Sequence, residues 1–133
     1  ASSNSSFKVI CLDGDGAMLM HMGSLTIIAE QKNMIHIVLN NGAHDSVGGQ
    51  PTVALNLDLC DIAKACHYDY VFSAKNKREI QKIMTGITEK KGSIFIEIKC
   101  RKGFRQDLPR PNKQPLENKI DFMNFLENVE NEF

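Results

Sequence analysis

The chain of 133 residues has no surplus charge, no long apolar run and no zinc-type cysteine pair, and each absence removes a class of function. Sixteen basic residues balance sixteen acidic ones, so no global field recruits nucleic acid by counterion release or draws the chain to an anionic membrane. Partners must be recognised locally. No apolar run approaches the roughly 20 residues that span a bilayer, and the polar start Ala1 to Ser6 lacks the basic and apolar regions of a signal peptide. Cys11, Cys60, Cys66 and Cys100 form no Cys-x-x-Cys pair with metal spacing. Reduced thiols in a cytoplasmic protein are the expectation. What is present, 42% hydrophobic and 24% charged residues, suits one globular domain with a core.

Apolar runs rich in β-branched residues alternate with segments of helical period, the pattern of βαβ units around a parallel sheet with helices on both faces. Strands are expected at Phe7 to Leu12, Ile35 to Leu39, Tyr70 to Phe72 and Ile94 to Ile98. The first, second and fourth are apolar on nearly both faces, as helix-covered strands should be. A buried helix over Ala17 to Gln31 sets Met18, Met22, Leu25 and Ala29 on one face, with the methionines at 18, 20, 22 and 34 as core filler. A second helix opens at the N-cap Asp58 with the stripe Leu59, Ile62, Ala63 and Cys66. A third, capped by Asn76, carries Ile80, Ile83, Met84 and Ile87 and stops at Lys91-Gly92.

From Cys100 to Pro115 periodicity gives way to three prolines, one glycine and five basic residues, Arg101, Lys102, Arg105, Arg110 and Lys113. This reads as a solvated basic loop or subunit contact, with capture of an anionic substrate group as the alternative. A last helix, Leu116 to Val129, is expected to dock Phe122, Phe125, Leu126 and Val129 on the sheet and to turn its acids to water. Residues 1–6 read as a linker remnant and 7–133 as the domain.

The strongest local signal is Leu12-Asp13-Gly14-Asp15-Gly16-Ala17, where a buried strand meets a buried helix. Glycines at 14 and 16 permit close backbone approach, and free N–H groups at a helix start favour phosphate. Leu19 stands where a dinucleotide fingerprint needs its third glycine or alanine, and no Gly-Lys-Ser/Thr follows. Asp15 would repel a phosphate unless a divalent cation bridges them, as Mg²⁺ commonly does. The second strand ends in Asn40-Asn41-Gly42-Ala43, beside the first loop if the strands are neighbours. The amide oxygen of Asn41 and a turn carbonyl could complete a metal shell.

Gly14-Asp15-Gly16, 23 residues, then Asn40-Asn41, resembles the diphosphate-binding motif of the thiamine-diphosphate-dependent decarboxylases. The spacer lies at or just below the short end for that family, which implies a slightly shorter helix or loop and removes no ligand. A narrower resemblance runs from Val9 to Pro111 and is densest at His44-Asp45-Ser46-Val47-Gly48-Gly49-Gln50. It is to the decarboxylases of 3-phosphonopyruvate and, closely related, 3-sulfopyruvate. Pro109 departs from the family's glycine between Leu108 and Arg110.

The resemblance implies a thiamine-diphosphate-binding fold with thiamine diphosphate and Mg²⁺ as cofactors. It implies Asp15, Asn41 and the Ala43 carbonyl as metal ligands, and backbone N–H groups of Gly16 and Ala17 on the diphosphate that the Gly14 loop cradles. The reaction implied is carbon–carbon lysis: decarboxylation of 3-phosphonopyruvate to phosphonoacetaldehyde and carbon dioxide. His44 could transfer a proton near the reacting carbon, while Ser46 and Gln50 could hold the substrate's tetrahedral anion. The alternatives are a sulfopyruvate decarboxylase subunit and a non-catalytic metal-diphosphate module. The family also implies a thiamine-pyrimidine domain, in the same or another chain, and an oligomer. The chain thus reads as a C-terminal fragment, its diphosphate-binding domain lacking an earlier strand and helix, and inactive alone. His21 reads as a packed core histidine near the diphosphate loop; His36 and His67 have no evident partner.

Overall fold

A computed structural model describes residues 7–103, 105–109 and 111–131, the side chains of 129–131 excepted. The expected linker over 1–6, Arg110 and the Val129 side chain fall outside the described residues. In chain order the elements are β1 (Val9–Gly14), α1 (Asp15–Met20), α2 (Ser24–Ala29), β2 (Met34–Asn40), β3 (Ala43–His44), β4 (Gln50–Pro51), α3 (Leu59–Ala65), β5 (Tyr70–Ala74), α4 (Lys77–Ile87), β6 (Ile94–Lys99) and α5 (Pro115–Asn131). Single 3₁₀ turns at Asp45–Val47 and Ala54–Asn56 shape the segment around β3 and β4.

Four parallel strands form a sheet in the order β1-β2-β6-β5, with β3 and β4 as a separate antiparallel ribbon. On one face Val38 and Phe95 meet Met18, Leu25 and Ala29 from α1 and α2, and Leu59 and Ala63 from α3. On the other, Ile35, Ile37, Ile94 and Ile96 meet Ile83 and Ile87 of α4. The two-faced α/β architecture is therefore as the sequence predicts, and the four strands and the stripes of α3 and α4 fall where they are expected. Both helix caps are present too: Asp58 accepts from the Asp61 amide and Asn76 from the Glu79 amide, satisfying N–H groups that have no partner inside the helix.

The structure corrects the sequence reading in several places. The helix expected over Ala17 to Gln31 is two short helices. The break comes at His21 to Gly23, where the Ser24 hydroxyl and amide both donate to the His21 carbonyl and a 3₁₀-type bond joins Leu25 to Met22. Its outer residues Met20 and Ile27 and its His21 are exposed rather than packed. The α4 helix ends at Ile87, before the Lys91-Gly92 stop. The first strand is an edge: Ile10 and Leu12 stand level with Ile35 and Ile37, yet are 54% and 69% exposed because no helix covers that end of the face. Finally, α5 forms but does not dock. Its Phe122 and Phe125 are exposed, and so are Leu116, Ile120 and Met123 on its opposite side. A helix with apolar residues around most of its cylinder has no single stripe to lay on the sheet.

Candidate functional site

Because β1 and β2 are parallel neighbours, with Gly14 level with Leu39, the chain leaves both at one sheet edge. The segments that follow enclose a cavity of about 400 Å³ lined by residues from Gly14 to Ala17 and Asn41 to Val47, with Met20 and Leu39. Gly14, Asp15, Gly16, Ala17, Asn41, Ala43, His44 and Ser46, far apart in sequence, thus share one cavity. Gln50 is not in its lining. It pairs with His44 across the β3–β4 ribbon, and its side chain lies over Gly48, where a Cβ would come within 3.0 Å of its amide.

Asp15 is the first residue of α1 and only 2% exposed. Its Oδ2 accepts from the Thr52 hydroxyl, and no lysine, arginine or histidine pairs with it among the described residues. A buried carboxylate without a cationic partner is costly, and a bound divalent cation would compensate it. The other oxygen donors at the cavity are the Asn41 amide and the Ala43 backbone, hard ligands suited to Mg²⁺. Among the described residues no trio of His, Cys, Asp or Glu is placed to hold a metal, which leaves this mixed set as the candidate. The α1 helix has six residues, too short for a strong macrodipole. The amides of Gly16 and Ala17 are available because first-turn N–H groups have no partner inside the helix.

The second loop is held from beneath. The Asn40 Nδ2 donates to Oε1 of the buried Glu97 at 2.7 Å, leaving its Oδ1 to accept from the Gly42 amide. Glu97 also takes the Ser73 hydroxyl at 3.3 Å. Its charge and, first of all, burial push the neighbouring Cys60 thiol up to about 11, so Cys60 stays protonated. Gly42 turns at φ 67°, and any Cβ there would strike Leu55, so this position needs glycine. Beyond the turn, Asn41 Oδ1 accepts from the Ala43 amide at 3.0 Å, and its Nδ2 donates to Asp45 Oδ2 at 2.8 Å. That pair of bonds fixes the amide flip and leaves the oxygen, on a residue that lines the cavity, one acceptor site unused among the described bonds.

His44 lies against the first loop so closely that a Cβ on Gly16 would sit 2.4 Å from its ring. The second glycine of the motif is therefore required by the imidazole. No described group hydrogen-bonds the His44 ring, which keeps both nitrogens available. Behind the site, His36 Nδ1 is 3.1 Å from the Tyr68 hydroxyl. Its Nε2 is buried with no hydrogen bond, since Asp13 Oδ2 stands off at 3.5 Å. Burial lowers the His36 pKa, against the opposing pull of Asp13. Thr52, Asp45 and Glu97 escape the sequence reading. Only Glu97, a lone acid inside the apolar run Ile94 to Ile98, carried a visible signal. All four cysteines are free, as expected.

Residues 2–98 match the model of the family "thiamine pyrophosphate enzyme, C-terminal TPP binding domain". The phosphonopyruvate decarboxylase of Streptomyces hygroscopicus is 36% identical over 119 residues, which cover 88% of this chain and 30% of that enzyme. The sulfopyruvate decarboxylase subunit beta of Methanococcus maripaludis is 33% identical over 121 residues, 90% of this chain and 64% of the subunit. The chain thus spans about a third to two-thirds of the length of these curated relatives. An X-ray structure described as a thiamin diphosphate-dependent enzyme from Mycobacterium smegmatis superposes with a TM-score of 0.62 at 18% identity, over 72% of this chain and 18% of that one, a likeness of fold.

Proposed function

Since the chain belongs to the thiamine pyrophosphate enzymes, through their C-terminal cofactor-binding domain, we propose that it forms the diphosphate and Mg²⁺ half of a cytoplasmic decarboxylase of 3-phosphonopyruvate, serving phosphonate biosynthesis. The products are phosphonoacetaldehyde and carbon dioxide. A thiamine-pyrimidine domain, from the same or another chain, closes the site from outside in an oligomer, and residues 7–133 alone are inactive. No helix among the described residues is long and apolar enough to cross a membrane.

The observation that carries this reading is the convergence of buried Asp15, the oriented amide of Asn41 and the unbonded His44 ring on one cavity. Asp15, Asn41 and the Ala43 carbonyl would hold Mg²⁺, with the Gly16 and Ala17 amides toward the diphosphate. Thiamine diphosphate, when bound, supplies the electron sink into which the bond to carbon dioxide breaks. The chain's own residues do the rest. Thr52 and Asp45 fix the donor groups. His44, packed on Gly16, holds or moves the proton that the reacting carbon takes up once carbon dioxide has left. Ser46 at the cavity wall orients the substrate's tetrahedral anion. Gln50 acts on that anion from the ribbon only if its side chain swings off Gly48.

A second reading, a sulfopyruvate decarboxylase β-type subunit, rests on the matched subunit relatives. Aldehyde release by the complete protein, with thiamine diphosphate and Mg²⁺, offered both oxoacids side by side, separates them. Faster turnover of the phosphonate supports the first reading and turnover of the sulfonate alone the second. No turnover of either would leave a metal-diphosphate-binding module.

A further inference from the structure

The cavity has a charge problem that its lining does not solve. It contains Asp15 and Asp45 but no lysine or arginine, whereas the substrate proposed above carries a carboxylate and a second, tetrahedral anion. One divalent cation and a histidine are little to set against the cofactor's diphosphate and both of those groups. The missing cations must come from outside the lining.

The chain after β6 brings them there. Cys100 donates its amide to the Asn40 carbonyl at 2.8 Å, and Gly103 donates its amide to Asp45 Oδ2 at 2.7 Å. The first bond is to the last residue of β2, directly before the loop that lines the cavity; the second is to that loop and uses the same carboxylate oxygen that orients Asn41. Gly103 sits at φ 102°, a conformation that glycine adopts without strain. Between the two anchors lie Arg101 and Lys102, both exposed. With consecutive Cα atoms about 3.8 Å apart, Lys102 is adjacent to the Asp45 anchor and Arg101 one residue further, well within a long side chain's reach of the cavity rim. Neither makes an ion pair among the described residues. The next cation, Arg105, is already committed, its guanidinium held at two points by Asp107 at 3.0 and 3.1 Å. The Asp107 carboxyl is correspondingly held below its usual range.

We propose that Arg101 and Lys102, clamped at the cavity mouth through Gly103 and Asp45, bind the phosphonate or sulfonate of the substrate and so set the preference for doubly anionic oxoacids. This rests on the decarboxylase reading above. It gives the basic segment a role that its composition alone did not favour, because composition does not show the segment tied to the site.

The test uses the complete enzyme with thiamine diphosphate and Mg²⁺, and the variant R101Q/K102Q, whose changes are exposed. Its KM for 3-phosphonopyruvate or 3-sulfopyruvate, whichever the wild type turns over, should rise roughly tenfold or more, the scale of a lost hydrogen bond to a charged group. The turnover number and the dissociation constant of thiamine diphosphate should hold. The charge-conserving swap R101K/K102R should restore most of the KM. An unchanged KM in an active enzyme would overturn the inference and leave the decarboxylase reading intact. A weakened cofactor dissociation constant with normal KM would overturn it too, assigning these cations to the diphosphate. Inactivity of the wild type on both oxoacids would instead remove the decarboxylase reading beneath it.

Discussion

At the scale of single residues, His44 and His36 show how the same side chain takes opposite duties from its surroundings. His44 has its ring against Gly16 at the cavity, with no hydrogen bond to it among the described residues, which suits proton transfer. His44→Ala in the complete enzyme should lower turnover by about 10²–10⁴-fold, the usual share of a general acid–base group. Thiamine diphosphate binding, measured by quenching or calorimetry, should change little, and unchanged turnover would contradict the role. His36 is locked in the core between Tyr68 and Phe95 with its pKa lowered, first by burial. With its native pKa below the unfolded value of about 6.5, only the unfolded chain takes up a proton as pH falls through that value. Stability is therefore full above about pH 6.5 and declines below it until the native pKa is reached. Denaturant midpoints between pH 7.5 and 5.5 should show this slope, and His36→Gln should flatten it.

At the scale of elements, what could be read from the sequence was whatever local chemistry decides. The stripes and caps of α3 and α4 depend on residues within one turn of each other, and they appear where Asp58 and Asn76 announce them. Replacing either by alanine should cost about 1 kcal/mol, read as a lowered thermal midpoint with activity retained. The Gly-Asp-Gly and Asn-Asn segments were legible for the same reason, since each is a short run with an unusual demand. What was not legible depends on distant partners. The Thr52 bond to Asp15 spans 37 residues. The break between α1 and α2 is the exception, a local Ser24 contact to His21 three residues away that the unbroken apolar period over Ala17 to Gln31 concealed. Met20 was read as core filler with the other methionines of its helix, yet it is exposed and lines the cavity. The docking of α5 was misread because a stripe was chosen from a helix with apolar residues on opposite sides.

At the scale of the whole molecule, the described residues leave apolar surface open at several places, among them the strip of Ile10, Leu12 and Leu39 at the β1 end of the sheet, and α5. Apolar exposure of this kind marks surfaces that other protein covers, in keeping with a domain that works within a larger assembly. Since its described side chains pack on no part of the sheet, Leu126 alone being partly buried, α5 adds little to the stability of the core. Removing residues 115–133 from this chain should leave its thermal midpoint within about 2 °C, a free-energy change well below 1 kcal/mol for a chain of this size. A clear drop would show that α5 packs more firmly than the structure indicates.

The account stands or falls on whether Asp15 holds the metal that holds the cofactor. The direct measurement is thiamine diphosphate binding to the complete protein by titration calorimetry, with Mg²⁺ and with chelator, for wild type and Asp15→Ala. The account predicts saturable binding by the wild type that chelation reverses and Asp15→Ala loses. Equal binding by both proteins, or binding indifferent to Mg²⁺, would contradict it.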